Sequence, residues 1–242
     1  LSIRVLALRG SEVVLDAAMR VQSHATHWST PPALPVRNTS KPALAVITGG
    51  SGEIGGAMAY SLAKQGWRLL LQDRGDGDRR RNLQNQLSRI HADATFIAAD
   101  LAAQAGRDTL AAAIARIDDV GLIVHAASPA VTAPVEALVA VNFSALQRIV
   151  DAALPGMLAR QKAAIVLIGS IATEYALPGW ETYAGAKRMA ANLIDIVERS
   201  YAAYGVRGLT IMPSLVATRF SKDFQSGAPA LLPQELAEAV LN

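Results

Sequence analysis

Apolar and polar positions fall into two textures along the chain. Residues 3–8 and 13–21 alternate partly between the two, with Arg9, Gly10, Ser11 and Glu12 between them, which predicts a two-stranded β-hairpin. From 43 onward the apolar residues come instead in short unbroken runs, at 43–48, 68–72, 95–98, 122–126, 164–168 and 209–212. A strand covered on both faces reads this way. Segments of helical periodicity lie between and after these runs, at 57–65, 79–91, 105–117, 136–160, 181–203 and 233–241. Strands alternating with helices at this spacing predict βαβ crossovers, and so an α/β class built on a doubly wound parallel sheet. A lone hairpin is marginal in water, so residues 1–21 read as a remnant of another domain. Residues 22–42, with Pro31, Pro32, Pro35 and Pro42 among Ser, Thr and Asn, read as a linker to the domain at 43–242.

In a doubly wound sheet, ligands bind at the carboxyl ends of the strands, so the chemistry is sought there. The first run leads into Gly49-Gly50-Ser51-Gly52-Glu53-Ile54-Gly55 and then a helix. Glycines at 50, 52 and 55 permit a tight turn, approach of the backbone to a pyrophosphate, and close packing of the helix whose N-terminus faces the anion. Asp73 ends the next run, about twenty residues on, where a carboxylate suits a ribose diol. Strand, glycine turn, helix and acid together predict a dinucleotide-binding Rossmann fold. Arg74 follows Asp73 and would welcome a 2′-phosphate that the carboxylate repels; on balance NAD(H) is favoured over NADP(H). Asp100, after the third strand, suits either an adenine amino group or a cap on the next helix. The fourth strand ends in His125-Ala126-Ala127-Ser128, where small residues leave room for a cofactor and His125 is read as satisfied by backbone. Ser170 ends the fifth. Tyr183 and Lys187 follow, four residues apart on one helix face. Read alone, they are as well explained as a surface tyrosine and a solvated lysine. Beside a dinucleotide loop they become a phenol whose ionised form a neighbouring cation favours, able to pass a proton to or from an alcohol oxygen that Ser170 also reaches.

Composition narrows the function classes further. With 242 residues, 51% of them hydrophobic, and mean hydropathy +0.25, a large core is affordable. The absence of cysteine removes disulfides and thiolate chemistry. No metal site is expected, since His24 and His27 have no third ligand in view. The net charge is +3 with a pI near 9.4, but the basic residues are scattered apart from Arg79-Arg80-Arg81, read as the solvated start of a helix, so no nucleic-acid partner is expected. No run reaches the roughly 18 apolar residues of a membrane span. No signal peptide is read in the first residues, and a cytoplasmic location is the expectation. A start at Leu1 reads as processing or as a piece of a longer product.

From about Ala43 onward the chain resembles the short-chain dehydrogenase/reductase family. The resemblance rests on Thr48-Gly49-x-x-Gly52-x-x-Gly55, Asp100, Asn142, Ser170 thirteen residues before Tyr183, Lys187, and the Pro213-Ser214-Leu215-Val216-Ala217-Thr218 segment. It implies catalytic roles for four residues. Tyr183 would be the acid in carbonyl reduction and the base in alcohol oxidation. Lys187 would lower the Tyr183 pKa and hold the nicotinamide ribose, Ser170 would polarise the carbonyl, and Asn142 would anchor a water in a proton relay. It further implies cofactor contacts from Gly49, Ser51, Gly52, Ile54, Gly55, Asp73, Arg74, Asp100, Leu101, Ala126, Ala127, Tyr183, Lys187, Pro213, Val216 and Thr218. Four departures stand out. Glu53 replaces a family glycine, His125-Ala126-Ala127 replaces Asn-Ala-Gly, and Pro213-Ser214 replaces Pro-Gly. The stretch between Thr218 and the last helix is shorter than the family's substrate lid, and a further family strand is missing before Asn242.

The resemblance implies a small carbonyl or secondary-alcohol substrate. The hairpin resembles the last strands of a hot-dog-fold acyl dehydratase or thioesterase, which implies a fusion and a 3-oxoacyl thioester. The alternative is a non-catalytic dinucleotide-binding or scaffold domain. A nucleotide-sugar epimerase is disfavoured, since 55 residues after Lys187 are too few for its substrate domain. Apolar residues on more than one face of 136–160 (Val139, Val141, Leu146, Val150, Leu154) and of 181–203 (Met189, Leu193, Ile194, Ile196) imply a homodimer or homotetramer.

Overall fold

A computed structural model describes residues 2–9, 12–20, 43–75, 77–175, 178–224 and 230–241. β1 (Ser2–Arg9) and β2 (Glu12–Arg20) pair antiparallel as the predicted hairpin, with an irregularity in register between Ala7 and Leu8. Gly10, Ser11 and the linker at 22–42, His24 and His27 included, lie outside the described residues.

The other strands are β3 (Leu44–Thr48), β4 (Arg68–Asp73), β5 (Ala94–Ala98), β6 (Val120–His125), β7 (Ala163–Ile168) and β8 (Val206–Ile211). Among the described residues they form one all-parallel sheet in the order β5-β4-β3-β6-β7-β8. The chain therefore runs outward from β3 to β5, returns to β6 beside β3, and runs outward the other way. A crevice opens where the order reverses, at the carboxyl ends of β3 and β6. The helices are α1 (Glu53–Lys64), α2 (Asp78–Arg89), α3 (Gln104–Ile114), α4 (Val135–Val139), α5 (Ala145–Arg160), α6 (Glu181–Tyr201) and α7 (Pro233–Leu241).

Successive strand residues point to opposite faces, so each strand feeds two cores. Val46, Leu70, Ile123 and Ile165 face one way and pack with Leu110 of α3, Ile149 of α5 and Ile194 of α6. Ile47, Leu69, Leu71 and Val124 face the other and pack with Met58 of α1, Leu83 of α2 and Leu236 of α7.

Three predicted boundaries move. α1 begins at Glu53, not 57: Gly55 and Gly56 depress helix propensity there, and Gly55 is required by packing, since a Cβ on it would lie 2.2 Å from the Gly49 carbonyl. β8 begins at Val206, not 209. Its Gly208 looks like a turn residue, but a Cβ there would come within 2.7 Å of the Ile194 carbonyl, so the glycine lets α6 lie against the strand. The helix at 136–160 is broken by a π-helical turn, Ala140–Ser144, between α4 and α5. The stretch Val135–Arg160, although polar residues interrupt it, is long and apolar enough to cross a membrane by length and composition. Its buried residues, Leu146, Ile149, Val150 and Ala153 among them, are packed in the core beneath the sheet.

Candidate active site

At the end of β3 the backbone turns at Gly49, whose φ of 64° favours glycine. Its N–H donates to Gln72 Oε1 at 3.0 Å, and the Gly50 N–H donates to the Gln72 carbonyl at 2.8 Å. Gln72 in turn donates from Nε2 to the Ala99 carbonyl at 2.7 Å, so one buried amide ties the ends of β3, β4 and β5. A Cβ on Gly52 or Gly55 would lie 2.9 Å or 2.2 Å from the Gly49 carbonyl, which is why α1 can start directly beneath the loop. No side chain caps α1, so its first backbone N–H groups remain available to an anion.

Asp73 is buried at the end of β4. Its Oδ1 accepts from the Gly75 N–H at 3.0 Å and from Arg80 at 3.3 Å, while Oδ2 is buried without a hydrogen-bond partner. The Arg80 guanidinium lies 4.9 Å over the Phe96 ring and leaves its own Nε unpaired. A ribose diol would supply the donors that Asp73 Oδ2 lacks.

Between the loop and the far end of the crevice runs a buried polar chain. Thr48 Oγ1 pairs with His125 Nδ1 at 2.9 Å and accepts the Ala127 N–H at 3.2 Å. His125 Nε2 pairs with the Val141 carbonyl at 3.0 Å, which makes Nε2 the protonated nitrogen and Thr48 the donor to Nδ1. Burial, with Lys187 nearby, pushes His125 down to about 3 despite the Val141 bond, so the ring stays neutral. His125 thus finds one backbone and one side-chain partner, where backbone alone was expected. Asn142, next to Val141 in the π turn, donates from Nδ2 to the Leu138 carbonyl at 2.9 Å and keeps a buried, unpaired Oδ1.

Tyr183 is only 4% exposed. Trp180 meets its ring edge-on at 5.6 Å, and Phe220 lies tilted against it at 5.6 Å. The Lys187 Nζ donates to the Ile168 carbonyl at 2.8 Å and sits 5.9 Å from the Tyr183 ring centre, as the one-turn spacing requires. Burial pushes Lys187 down to about 7. Burial also raises the Tyr183 phenol above its ordinary value, and hydrogen bonds with Ser170 and Ser128 pull it back in part. The net direction is upward, because desolvation outweighs the two hydrogen bonds. The phenol is protonated at neutral pH.

Gly49, Gly52, Ile54, Gly55, Ala126, Ser170, Tyr183, Lys187, Pro213, Val216 and Thr218 all line one cavity of about 250 Å³. Residues not singled out beforehand join them, notably Ser128, Arg79, Trp180 and Phe220. Other predicted residues are placed behind or beside the wall. Ser51 is half-buried in the loop, and Ala127 backs onto Gly49. Arg74 is exposed. Asp100 accepts the Ala102 N–H at 3.0 Å, capping the turn before α3, and Leu101 is buried in the core. Asn142 lies in the π turn against α6.

Residues 43–228 match the family model described as short chain dehydrogenase. The chain belongs to the short-chain dehydrogenase family. It is 26% identical over 191 residues to the very-long-chain 3-oxoacyl-CoA reductase of Bos taurus, covering 74% of this chain and 61% of that one. The chain thus spans about three fifths of the length of that relative. It is 28% identical over 217 residues to an uncharacterized oxidoreductase of Bacillus subtilis, covering 81% and 88%. Among solved structures, the 3-oxoacyl (acyl-carrier-protein) reductase of Agrobacterium tumefaciens with NADP bound superposes with a TM-score of 0.74 at 28% identity, over 83% of this chain and 86% of that one. A short-chain dehydrogenase from Sphingobium yanoikuyae in complex with NADPH has the same fold, with a TM-score of 0.74 at 23% identity over 82% and 83%.

Proposed function

We propose that this short-chain dehydrogenase is an oxidoreductase that interconverts a carbonyl and a secondary alcohol with a nicotinamide dinucleotide, and that its substrate is a 3-oxoacyl thioester. The observation that carries the reading is a protonated, buried Tyr183 phenol beside Ser170 and Ser128, in the same cavity as an anion-ready glycine loop. The nicotinamide supplies or accepts the hydride when bound. In reduction, Tyr183 donates its proton to the substrate oxygen, and Ser170 holds that oxygen by hydrogen bonding. Lys187, close to its point of half-protonation, would return a proton toward the phenol, and the unpaired Asn142 Oδ1 would anchor a water in that relay.

The loop and Asp73 fit a dinucleotide. Glycine is required at the cradle, and Asp73 Oδ2 lacks a donor. That orphan oxygen supports NAD(H) as the preferred form. NADP(H) is the second reading, favoured by Arg79 at the cavity wall and by the NADP and NADPH found in the two solved relatives. The 3-oxoacyl substrate is supported by the bovine and Agrobacterium relatives, and by an aromatic and aliphatic wall of Trp180, Leu215 and Phe220 facing Tyr183. Exposed Met189 and Ile196 on α6 support homo-oligomerisation, read by elution volume at micromolar concentration. The reading further takes the enzyme to be cytoplasmic, which fractionation of the cells that make it tests.

Oxidation of NADH and of NADPH followed with acetoacetyl thioester, simple ketones and alcohols tests the reading. Turnover of the thioester above the simple ketones is expected. Dinucleotide binding without turnover on any of them would leave the scaffold alternative standing in its place.

A further inference from the structure

We infer that Glu53 ties the dinucleotide loop to the roof over Tyr183, and that an entering dinucleotide must displace this carboxylate. The inference rests on the dinucleotide reading above. Glu53 is the first residue of α1, and its Oε2 accepts the Arg219 backbone N–H at 2.9 Å, across 166 residues of sequence. Both residues line the cavity that Tyr183 lines. Arg219 opens a 3₁₀ turn, Arg219–Phe224, and the next residue, Phe220, is the ring lying on Tyr183. The turn is braced from within. The Thr218 N–H donates to Ser221 Oγ at 3.1 Å, and the Ser221 hydroxyl donates to the Val216 carbonyl. A hold on Arg219 is therefore a hold on Phe220.

The hold is a backbone amide on a carboxylate, made at the exposed rim of the cavity. Its position is unusual, because it places a negative charge at the helix end where the backbone N–H groups await an anion. A pyrophosphate arriving there would meet a like charge on the same helix turn, and the glutamate side chain is the part with bonds free to rotate away. When the carboxylate swings out, Arg219 loses its acceptor and the roof loses its anchor on α1. Coupling of this kind is reciprocal: whatever favours the Glu53 to Arg219 bond disfavours dinucleotide binding, and bound dinucleotide disfavours the bond. Glu53 is thus a positioning residue, acting on cofactor affinity and on the cover over Tyr183 without touching the reacting atoms.

Glu53→Ala and Glu53→Gln separate the two effects. Alanine removes the acceptor and the charge. Glutamine removes the charge and keeps an oxygen for the Arg219 N–H. Two quantities are measured for each full-length protein: the rate at which trypsin cleaves after Arg219 without nucleotide, identified by fragment mass, and the NADH and NADPH dissociation constants by calorimetry. Glu53→Ala is expected to be cleaved several-fold faster than wild type, and Glu53→Gln at close to the wild-type rate. Both are expected to bind dinucleotide about 2- to 5-fold more tightly, the scale of one like-charge contact near the surface. Cleavage of Glu53→Ala at the wild-type rate overturns the tie. Unchanged dissociation constants in both variants overturn the competition. If wild type and both variants bind neither nucleotide, the dinucleotide reading falls instead, and the cleavage rates still decide whether Glu53 anchors the roof.

Discussion

The two ends of the cavity are built by opposite means. At the β3 and β4 end the work is done by backbone: glycines at 49, 52 and 55, N–H groups at the start of α1, and an Asp73 oxygen left unpaired. At the β6, β7 and α6 end it is done by side chains that, except for Asn142 Oδ1, are partnered: half-buried Ser170 and buried Tyr183, Lys187 and His125. The first end holds back hydrogen bonds for something that will arrive. The second uses burial to shift protonation states before anything arrives. Binding and proton transfer thus make different demands on the same sheet edge, and each end should fail in its own way when altered.

The largest expected effect on the binding end comes from Gly55→Ala. Its methyl would sit 2.2 Å from the Gly49 carbonyl, so loop and helix must separate. Dinucleotide affinity should fall by about 100-fold or more, with a stability loss of about 1–3 kcal/mol from overpacking, read by calorimetry and by denaturant titration. On the proton-transfer end, Lys187→Met should lower kcat by about 100-fold or more while moving dinucleotide affinity far less. It also carries a pH signature. The folded Lys187 titrates near 7 against an ordinary 10.5, so between these values the unfolded chain binds the extra proton and stability rises with pH. Removing the amine should therefore raise the melting temperature of the ligand-free protein most below pH 7, with the gain disappearing as pH approaches 10.5. A pH-independent difference would break the contrast between the two ends.

Smaller changes sharpen the contrast. Asp73→Ser should move the ratio of NADPH to NADH affinity about tenfold toward NADPH, since it removes the carboxylate that repels a 2′-phosphate and leaves Arg80 free. An unchanged ratio would remove Asp73 from cofactor selection. Thr48→Val deletes the shared link between the ends, leaving His125 Nδ1 and the Ala127 N–H without their partner. It should cost about 1–3 kcal/mol of stability, read from denaturant midpoints, with a smaller effect on either binding or turnover than the variants above.

The same division decides how much of the molecule is legible in its sequence. Backbone requirements write themselves as glycine at fixed spacing, and buried parallel strands as unbroken apolar runs, so the sheet, the loop and Asp73 could be read directly. Tyr183 and Lys187 were legible because helix geometry places positions four apart on one face. Their surroundings were not. Ser128 and Phe220 reach Tyr183 from other segments, His125 depends on Thr48 77 residues away, and Glu53 depends on Arg219 166 residues away. No local pattern encodes such contacts. The direction of the Tyr183 shift escaped for a related reason: a neighbouring cation is visible in the sequence, whereas burial becomes visible only once the chain is folded.

The claim that joins the two ends is that Tyr183 supplies the proton while the loop holds the cofactor. Tyr183→Phe removes one hydroxyl and leaves the ring between Trp180 and Phe220. With a 3-oxoacyl thioester and the better of NADH and NADPH, this variant should lose about 100- to 10,000-fold in kcat while binding the dinucleotide within about twofold of wild type. Turnover by Tyr183→Phe at the wild-type rate would contradict the account.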